Sequence, residues 1–154
     1  MDKLIQLDEN IVCLNVNAET KEEVITTLFN KLKENNYVKD SFIEAILERE
    51  KVYPTGLPLA SMGVAIPHTD PEHVLNPTIG VAVLNHPVKF HMMGSVETII
   101  DADIVLVLAI SEPSKQIVML ERLMGVFQND KAMLSIKNAS SKKAVIDILN
   151  QVNV

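Results

Sequence analysis

The sequence contains a single cysteine and only two arginines, Arg49 and Arg122, and each shortage excludes a class of protein. With Cys13 as the only thiol, no disulfide can form within the chain, which agrees with a reducing compartment. Nucleic-acid binders cluster basic residues against phosphates, whereas this chain of 154 residues carries a net charge of −6. We therefore expect no nucleic-acid partner.

Long apolar runs are absent as well. No stretch reaches the roughly 18 apolar residues of a membrane-spanning helix. The first residues, MDKLIQLDENIVCL, lack the apolar segment of a signal peptide. We expect a cytoplasmic protein that does not insert into a membrane. With 47% hydrophobic and 22% charged residues, the composition is that of a globular protein, and the length fits one domain over residues 1–154.

The spacing of the apolar residues predicts an alternation of strands and helices. Strands are predicted over 11–16, 63–66, 78–84 and 102–110, and helices within 19–36, 41–51, 115–128, 130–137 and 141–151. Residues 52–62 are predicted to be a loop, and 88–100 to be short strands or an irregular crossover. The two longest strands are almost continuously apolar, which indicates coverage on both faces. The pattern predicts an α/β (α+β) fold with a mixed sheet flanked by helices.

The segment GVAIPHTD places a histidine, His68, directly after a proline at the end of an apolar strand. Pro67 fixes its own φ and favours an extended Ile66, so the backbone before His68 is stiff. Thr69 and Glu72 match a capping box, which predicts a helix that begins after Thr69. His68 would then lie beside a helix N-terminus, where an anion is favoured. A phosphoryl-carrying histidine and a structural histidine both remain open on this pattern.

The other histidines and the cysteine have simpler interpretations. His68 and His73, with acidic residues between them, could form a metal site or a hydrolase, although a third ligand is not evident. His86 and His91 are interpreted as surface or structural histidines. Cys13 lies in an apolar strand pattern and is interpreted as a core thiol.

Several segments together resemble the fructose–mannitol type of enzyme IIA from the sugar phosphotransferase system (PTS). They are ERE at 48–50, PTG at 54–56, GVAIPHTD at 63–70, the strand ending LVLAISEP and the following QIVMLERLMGVFQND. The resemblance covers nearly the entire chain. It implies a single domain with a mixed-sheet sandwich between helices, of the phosphotransferase/anion-transport-protein kind. PTG together with Gln116 resembles the galactitol-specific branch.

The resemblance implies a phosphoryl carrier. Such a domain takes phosphate from the histidine-containing phosphocarrier protein and passes it to enzyme IIB, on a cysteine in relatives. Enzyme IIB in turn phosphorylates sugar that enters through the membrane enzyme IIC. His68 matches the phosphoacceptor, and Arg49 matches the arginine that faces the phosphate, which its planar fork can bind bidentately. No cofactor, ATP loop or metal is needed, because the phosphoryl group arrives already activated.

One departure concerns a second histidine that many family members carry beside the acceptor. This chain has Gln116 there, which can orient a group through a hydrogen bond but cannot become cationic. Whether His73 does the work of that histidine stays open, and Thr69 and His73 are further candidates for phosphate binding.

An apolar surface around the acceptor is expected to receive the partners. The candidates for it are Leu59, Met62, Met92 and Met93, because methionine adapts to more than one partner. Core packing is the alternative for each. A regulatory module of the same fold, phosphorylated to signal, is the alternative to a transport role.

Overall fold

The computed structural model describes residues 5–151. The predicted domain of residues 1–154 also includes 1–4 and 152–154, which lie outside the described residues. The strands are β1 (Val12–Val16), β2 (Gly56–Pro58), β3 (Gly63–Ala65), β4 (Thr78–Met92) and β5 (Ser95–Ala109). The helices are α1 (Lys21–Glu34), α2 (Phe42–Val52), α3 (Pro113–Phe127), α4 (Asp130–Lys137) and α5 (Lys142–Gln151). The predicted helices are confirmed to within two residues at each end.

The strands form one mixed sheet in the order β1-β4-β2-β3-β5, with an additional pairing of β4 with β5. β1 runs parallel to β4, and β3 runs parallel to β5. The pairs β2–β3 and β4–β5 are antiparallel. The prediction of a mixed sheet is confirmed.

Side chains of the central strands alternate between two hydrophobic layers, because successive residues of a strand point to opposite faces. On β5, Leu106 and Leu108 belong to a cluster that includes buried residues of α3, α4 and α5. Val105 and Val107 belong to a second cluster, with buried residues of α1 and α2. Helices thus cover both faces of the sheet, as the resemblance implies, and the strands over 78–84 and 102–110 are buried on both sides.

β4 and β5 form a long hairpin that corrects the prediction for residues 88–100. Each strand has 15 residues, and the turn between them contains Gly94 at a φ of 80°, which glycine adopts without strain. The prediction of short strands or a crossover was wrong, because both strands continue as one hairpin, with Val88, Phe90 and Ile100 still in the second hydrophobic cluster. The register shifts between Val83 and Val88, where exposed residues interrupt the apolar pattern.

The predicted loop over 52–62 was also wrong in part, since it contains β2. This strand of three residues pairs with β3, and Gly56 lies opposite Ala65. Its sequence, GLP, has no periodicity that could identify a strand, so the strand depends on its partner.

Two glycines allow the strands near β2 and β3 to approach closely. A Cβ on Gly63 would lie 1.9 Å from the carbonyl oxygen of Asp101, and one on Gly56 would lie 2.6 Å from that of His91. Both contacts are too short for any side chain. Glycine is therefore required where β3 begins its path toward His68.

Candidate active site

His68 lies just beyond β3 and is held against β5. The backbone N–H of Leu108 donates to the carbonyl of Pro67 at 3.0 Å, and His68 forms a parallel β-bridge with Leu108. Ile66 and Pro67 are buried, whereas His68 is half-buried. The stiff, extended delivery of His68 predicted from Pro67 is confirmed by this pairing.

One ring nitrogen of His68 is fixed by the backbone. Nδ1 lies 2.8 Å from the carbonyl oxygen of Ile66. A carbonyl oxygen only accepts hydrogen bonds, so Nδ1 carries the proton and Nε2 of the neutral ring keeps its lone pair. Burial lowers the pKa of His68 from its ordinary value of 6.5; the bond to Ile66 opposes this shift, and the charge of Arg49 adds to it. The imidazole is thus held neutral with Nε2 as the nucleophilic atom.

Arg49 lies near the end of α2, close enough to lower the pKa of His68 through its charge. Its guanidinium lies 5.4 Å from the centre of the Tyr53 ring, a cation–π contact. Arg49 Nη1 also lies 3.8 Å from a carboxylate oxygen of Asp70, in an ion pair whose side chains are 38% and 69% exposed. An exposed pair of this kind is weak, so an incoming anion can compete for the arginine.

Thr69 and His73 line a shallow pocket with Arg49 and Tyr53, with a volume of about 290 Å³. Thr69 is buried, with 7% of its surface exposed. The structure therefore brings the predicted Thr69 and His73 to the same pocket as Arg49.

The helix predicted after Thr69 is absent from this part of the described chain. Residues Pro71–His73 form one 3-10 turn, which Asp70 precedes without a side-chain capping bond. The capping box of Thr69 and Glu72 was therefore wrong, and so was the anion site at a helix N-terminus. The turn cannot extend because Val74 returns to extended backbone and bridges Val38.

His73 has partners at both ring nitrogens. Nδ1 lies 2.8 Å from the hydroxyl oxygen of Ser41, and Nε2 lies 3.5 Å from a carboxylate oxygen of Glu72. The hydroxyl of Ser41 engages Nδ1, whereas the contact of Nε2 with the exposed carboxylate of Glu72 is longer and weaker.

Gln116 lies half-buried in the first turn of α3. This helix starts five residues after Leu108, the bridge partner of His68. Among the contacts of residues 5–151, no hydrogen bond joins Gln116 to His68. The topology thus brings Gln116 to the same end of the sheet, without placing it on the imidazole.

The sequence analysis missed two residues, Glu50 and Thr55. Both are 4% exposed, and both carboxylate oxygens of Glu50 accept hydrogen bonds from Thr55. A signal for Glu50 was present, because it continues the buried stripe of Phe42 and Ile46 along α2. A charged residue at such a position is rare unless its carboxylate is paired.

The four apolar candidates for a partner surface divide in the structure. Met62 is buried in the core, so its assignment to the surface was wrong. Leu59 and Met92 are half-buried and pack against the core clusters. Met93 is 36% exposed and lines a groove of about 330 Å³ together with Val52, Tyr53, Pro54, Gly94, Ser95 and Val96.

The remaining candidates lie away from the imidazole. Cys13 is half-buried against the core, and burial raises the pKa of its thiol. His86 is exposed, and Nδ1 of His91 bonds the carbonyl of Val96 at 2.7 Å in the hairpin. Within residues 5–151, no group of three or more histidine, cysteine, aspartate or glutamate residues could hold a metal ion, so the pair of His68 and His73 lacks a third ligand. In the same range, no helix combines the length and the apolar character that crossing a membrane requires.

Comparison with known proteins adds three findings. The family model described as "Phosphoenolpyruvate-dependent sugar phosphotransferase system, EIIA 2" matches residues 5–152. The PTS system fructose-specific EIIABC component of Bacillus subtilis (strain 168) is 28% identical over 149 residues, which are 94% of this chain and 22% of that protein. This chain thus spans less than a quarter of that relative.

The PTS system galactitol-specific EIIA component of Escherichia coli (strain K12) is 27% identical over 108 residues, 70% of this chain and 71% of that protein. Among solved structures, the complex of enzyme IIA and phosphorylated enzyme IIB of the E. coli mannitol system contains a similar fold. The match has a TM-score of 0.77 at 23% identity and covers 96% of this chain and 99% of that chain. The predicted fold is confirmed by this likeness.

Proposed function

The chain belongs to the EIIA type 2 family of the phosphoenolpyruvate-dependent sugar phosphotransferase system, and we propose that it carries phosphoryl groups on Nε2 of His68. Membership of this family makes the chain a phosphotransferase component. The observation that carries the proposal is the hydrogen bond from Nδ1 of His68 to the carbonyl of Ile66, which leaves Nε2 as the nucleophile.

The transfer step follows from this tautomer. The Nε2 lone pair of His68 attacks the phosphorus of a phosphohistidine on the donor, the bond from phosphorus to the donor nitrogen breaks, and the donor imidazole leaves with that electron pair. The His68 ring becomes positively charged, with its proton still on Nδ1. The bond to the Ile66 carbonyl then becomes charge-assisted and stronger, so the backbone stabilises the phosphorylated state.

Arg49 supports the phosphoryl group in this proposal. Its guanidinium is held by Tyr53 and by the exposed carboxylate of Asp70, which an incoming phosphoryl oxygen can displace. Gln116, at the same end of the sheet, is proposed to orient the phosphoryl group through its amide. Thr69 and His73 are proposed to line the approach to Arg49, as their shared pocket supports.

The proposed donor is the histidine-containing phosphocarrier protein, and the proposed acceptor is enzyme IIB. The structural likeness to a protein solved together with phosphorylated enzyme IIB supports the second of these. The exposed apolar side chains of Val52, Tyr53, Met93 and Val96 line one groove, and Val52 and Tyr53 also line the pocket that contains Arg49. This apolar rim is the proposed docking surface, and enzyme IIC is involved only through enzyme IIB.

The identity of the transported sugar is a separate question from family membership. Relatives named for fructose and for galactitol match this chain at similar identity, so the galactitol-like features, PTG and Gln116, stay a prediction. The expected cytoplasmic location stays a prediction as well.

The test is direct phosphorylation. Incubation with phosphorylated phosphocarrier protein should label the chain once, and mass spectrometry should place the acid-labile phosphate on His68. Nitrogen-15 and phosphorus-31 NMR of the labelled ring should show coupling of phosphorus to Nε2. Coupling to Nδ1, or phosphate on another residue, would contradict the proposal.

A second incubation distinguishes transport from signalling. Phosphorylated chain mixed with an enzyme IIB from the same genome should lose its label to that partner. Stable labelling that no enzyme IIB removes would favour the regulatory module instead.

A further inference from the structure

The buried pair of Glu50 and Thr55 connects α2 to the strand that leads to His68. The backbone N–H of Thr55 donates to Glu50 Oε2 at 2.9 Å, and its hydroxyl donates to Oε1 at 2.8 Å. A buried carboxylate is costly unless it accepts such bonds. Burial raises the pKa of Glu50, and the two bonds from Thr55 and the charge of Lys21 oppose that rise.

The chain of hydrogen bonds continues to the imidazole. Because the Thr55 hydroxyl gives its proton to the carboxylate, its oxygen is left to accept the N–H of Ile66, at 3.2 Å. The carbonyl of the same Ile66 accepts Nδ1–H of His68 at 2.8 Å. Ile66 is thus held at its N–H by Thr55 and at its carbonyl by the imidazole.

We propose that Glu50 and Thr55 are positioning residues that set the tautomer and orientation of His68 relative to Arg49. Glu50 follows Arg49 on α2, and its bond to Thr55 ties that helix to the backbone that holds the histidine. The pair therefore fixes the two groups that meet the phosphoryl group in one geometry. This inference rests on the proposed role of His68 as the phosphoacceptor.

The decisive variant is Thr55→Val, which keeps the shape of the side chain and removes its hydroxyl. The N–H of Ile66 then loses its acceptor, so the backbone on the N-terminal side of the Ile66 Cα is held less firmly. We expect the carbonyl on the other side of that Cα to shift and to hold Nδ1–H of His68 less tightly. Nitrogen-15 NMR of the ring should change from one tautomer to a mixture of both. The rate of phosphorylation by the phosphocarrier protein should fall about tenfold, which corresponds to about 1.4 kcal/mol.

Two variants separate positioning from stability. Thr55→Ser keeps the hydroxyl and should restore both the single tautomer and the rate. Thr78→Val is the matched control, because Thr78 is fully buried and its hydroxyl donates to the carbonyl of Gln6 at 3.2 Å. It should lower the Tm and leave the His68 ring signals and the rate unchanged.

Glu50→Gln serves as the second test should Thr55→Val fail to fold. The amide can accept only one of the two bonds from Thr55, so the same change of ring signals is expected. If a folded Thr55→Val or Glu50→Gln protein keeps one tautomer and the wild-type rate while only the Tm falls, the pair is structural and the inference is overturned.

The ring signals also separate this inference from the proposed function. A wild-type chain that accepts no phosphate, with a tautomer that still changes in Thr55→Val, would remove the phosphoryl role and keep the positioning role.

Discussion

His68 and His73 lie five residues apart in the chain, yet the structure gives their rings different surroundings. His68 follows a buried strand, has one ring nitrogen on a backbone carbonyl and keeps the lone pair of the other. His73 ends a single turn, and both of its nitrogens have side-chain partners, Ser41 and Glu72. We propose His68 as the nucleophile because one of its nitrogens is held, the other is open, and the ring lies near Arg49. Proximity to Arg49 alone is not enough, since both histidines lie near it.

The strongest test of this comparison removes each histidine in turn. His68→Ala should abolish labelling by the phosphorylated phosphocarrier protein, because the variant lacks the nitrogen that is proposed to receive the group. His73→Ala should retain labelling, because His68 is still present. Loss of one hydrogen bond to Ser41, about 1 kcal/mol, should slow the reaction about fivefold at most. Radiolabel or mass spectrometry measures both, and circular dichroism checks the fold. Loss of labelling in His73→Ala would reverse the assignment of the two residues.

Arg49→Lys should have the next largest effect. The charge is kept but the bidentate fork is lost, and a donor to a transition-state anion is worth about 2–4 kcal/mol, or roughly 30- to 1,000-fold in rate. Rapid-quench measurement of phosphoryl transfer tests this, with Arg122→Lys on α3 as the matched control. A wild-type rate in Arg49→Lys would make Arg49 structural.

Gln116→Ala should slow transfer about five- to tenfold, as expected for one neutral hydrogen bond of about 1 kcal/mol. Gln116→His should be tolerated and should add a pH dependence near neutrality, because histidine titrates there and glutamine does not. The check is the pH profile of transfer for the three proteins. Identical profiles, with Gln116→Ala fully active, would place Gln116 outside the site.

The smallest effect concerns the shape of the wild-type pH profile. Burial lowers the pKa of His68 below 6.5, so the ring stays neutral and the rate should stay level as the pH falls through 6.5, declining only at lower pH. Between the lowered pKa of folded His68 and about 6.5, the unfolded chain binds a proton at this histidine and the folded chain does not. The free energy of unfolding should therefore rise with pH up to about 6.5. Thermal unfolding of wild type and His68→Ala over pH 4–8 tests this, since the variant should lack that contribution.

The long, strongly periodic elements could be predicted from the sequence, because their pattern reflects burial on one helix face or on both faces of a strand. Strand β2 could not be predicted, since its three residues, GLP, become a strand only by pairing with β3. The outer part of the β4–β5 hairpin was missed because the exposed segment 85–87 breaks the apolar pattern before Val88 and Phe90 return to the core.

The residues of the candidate site also divide into those that the sequence could predict and those that it could not. His68 and Arg49 could be proposed from motifs alone, because their proposed chemistry depends on residue type. The capping box at Thr69 was misleading, since its local pattern is overridden by the bridge of Val74 to Val38. The tautomer of His68 depends on where the carbonyl of Ile66 points, which no side-chain pattern reveals. Glu50 could have been noticed as a charged residue on the apolar stripe of α2, but its hydrogen-bond partner Thr55 could not.

The parallel pairing of His68 with Leu108 joins residues forty positions apart in the chain, so we expect it to form late in folding. The β4–β5 hairpin can close locally on a microsecond timescale, whereas the parallel pairings need the closure of longer loops. We therefore expect His68, the proposed phosphoacceptor, to reach its final position against Leu108 only after the second strand of the hairpin has been synthesised and docked. Phosphorylation of His68 by the donor would then indicate that folding is complete. A nascent chain that ends before residue 109 should not be phosphorylated, even though it already contains His68.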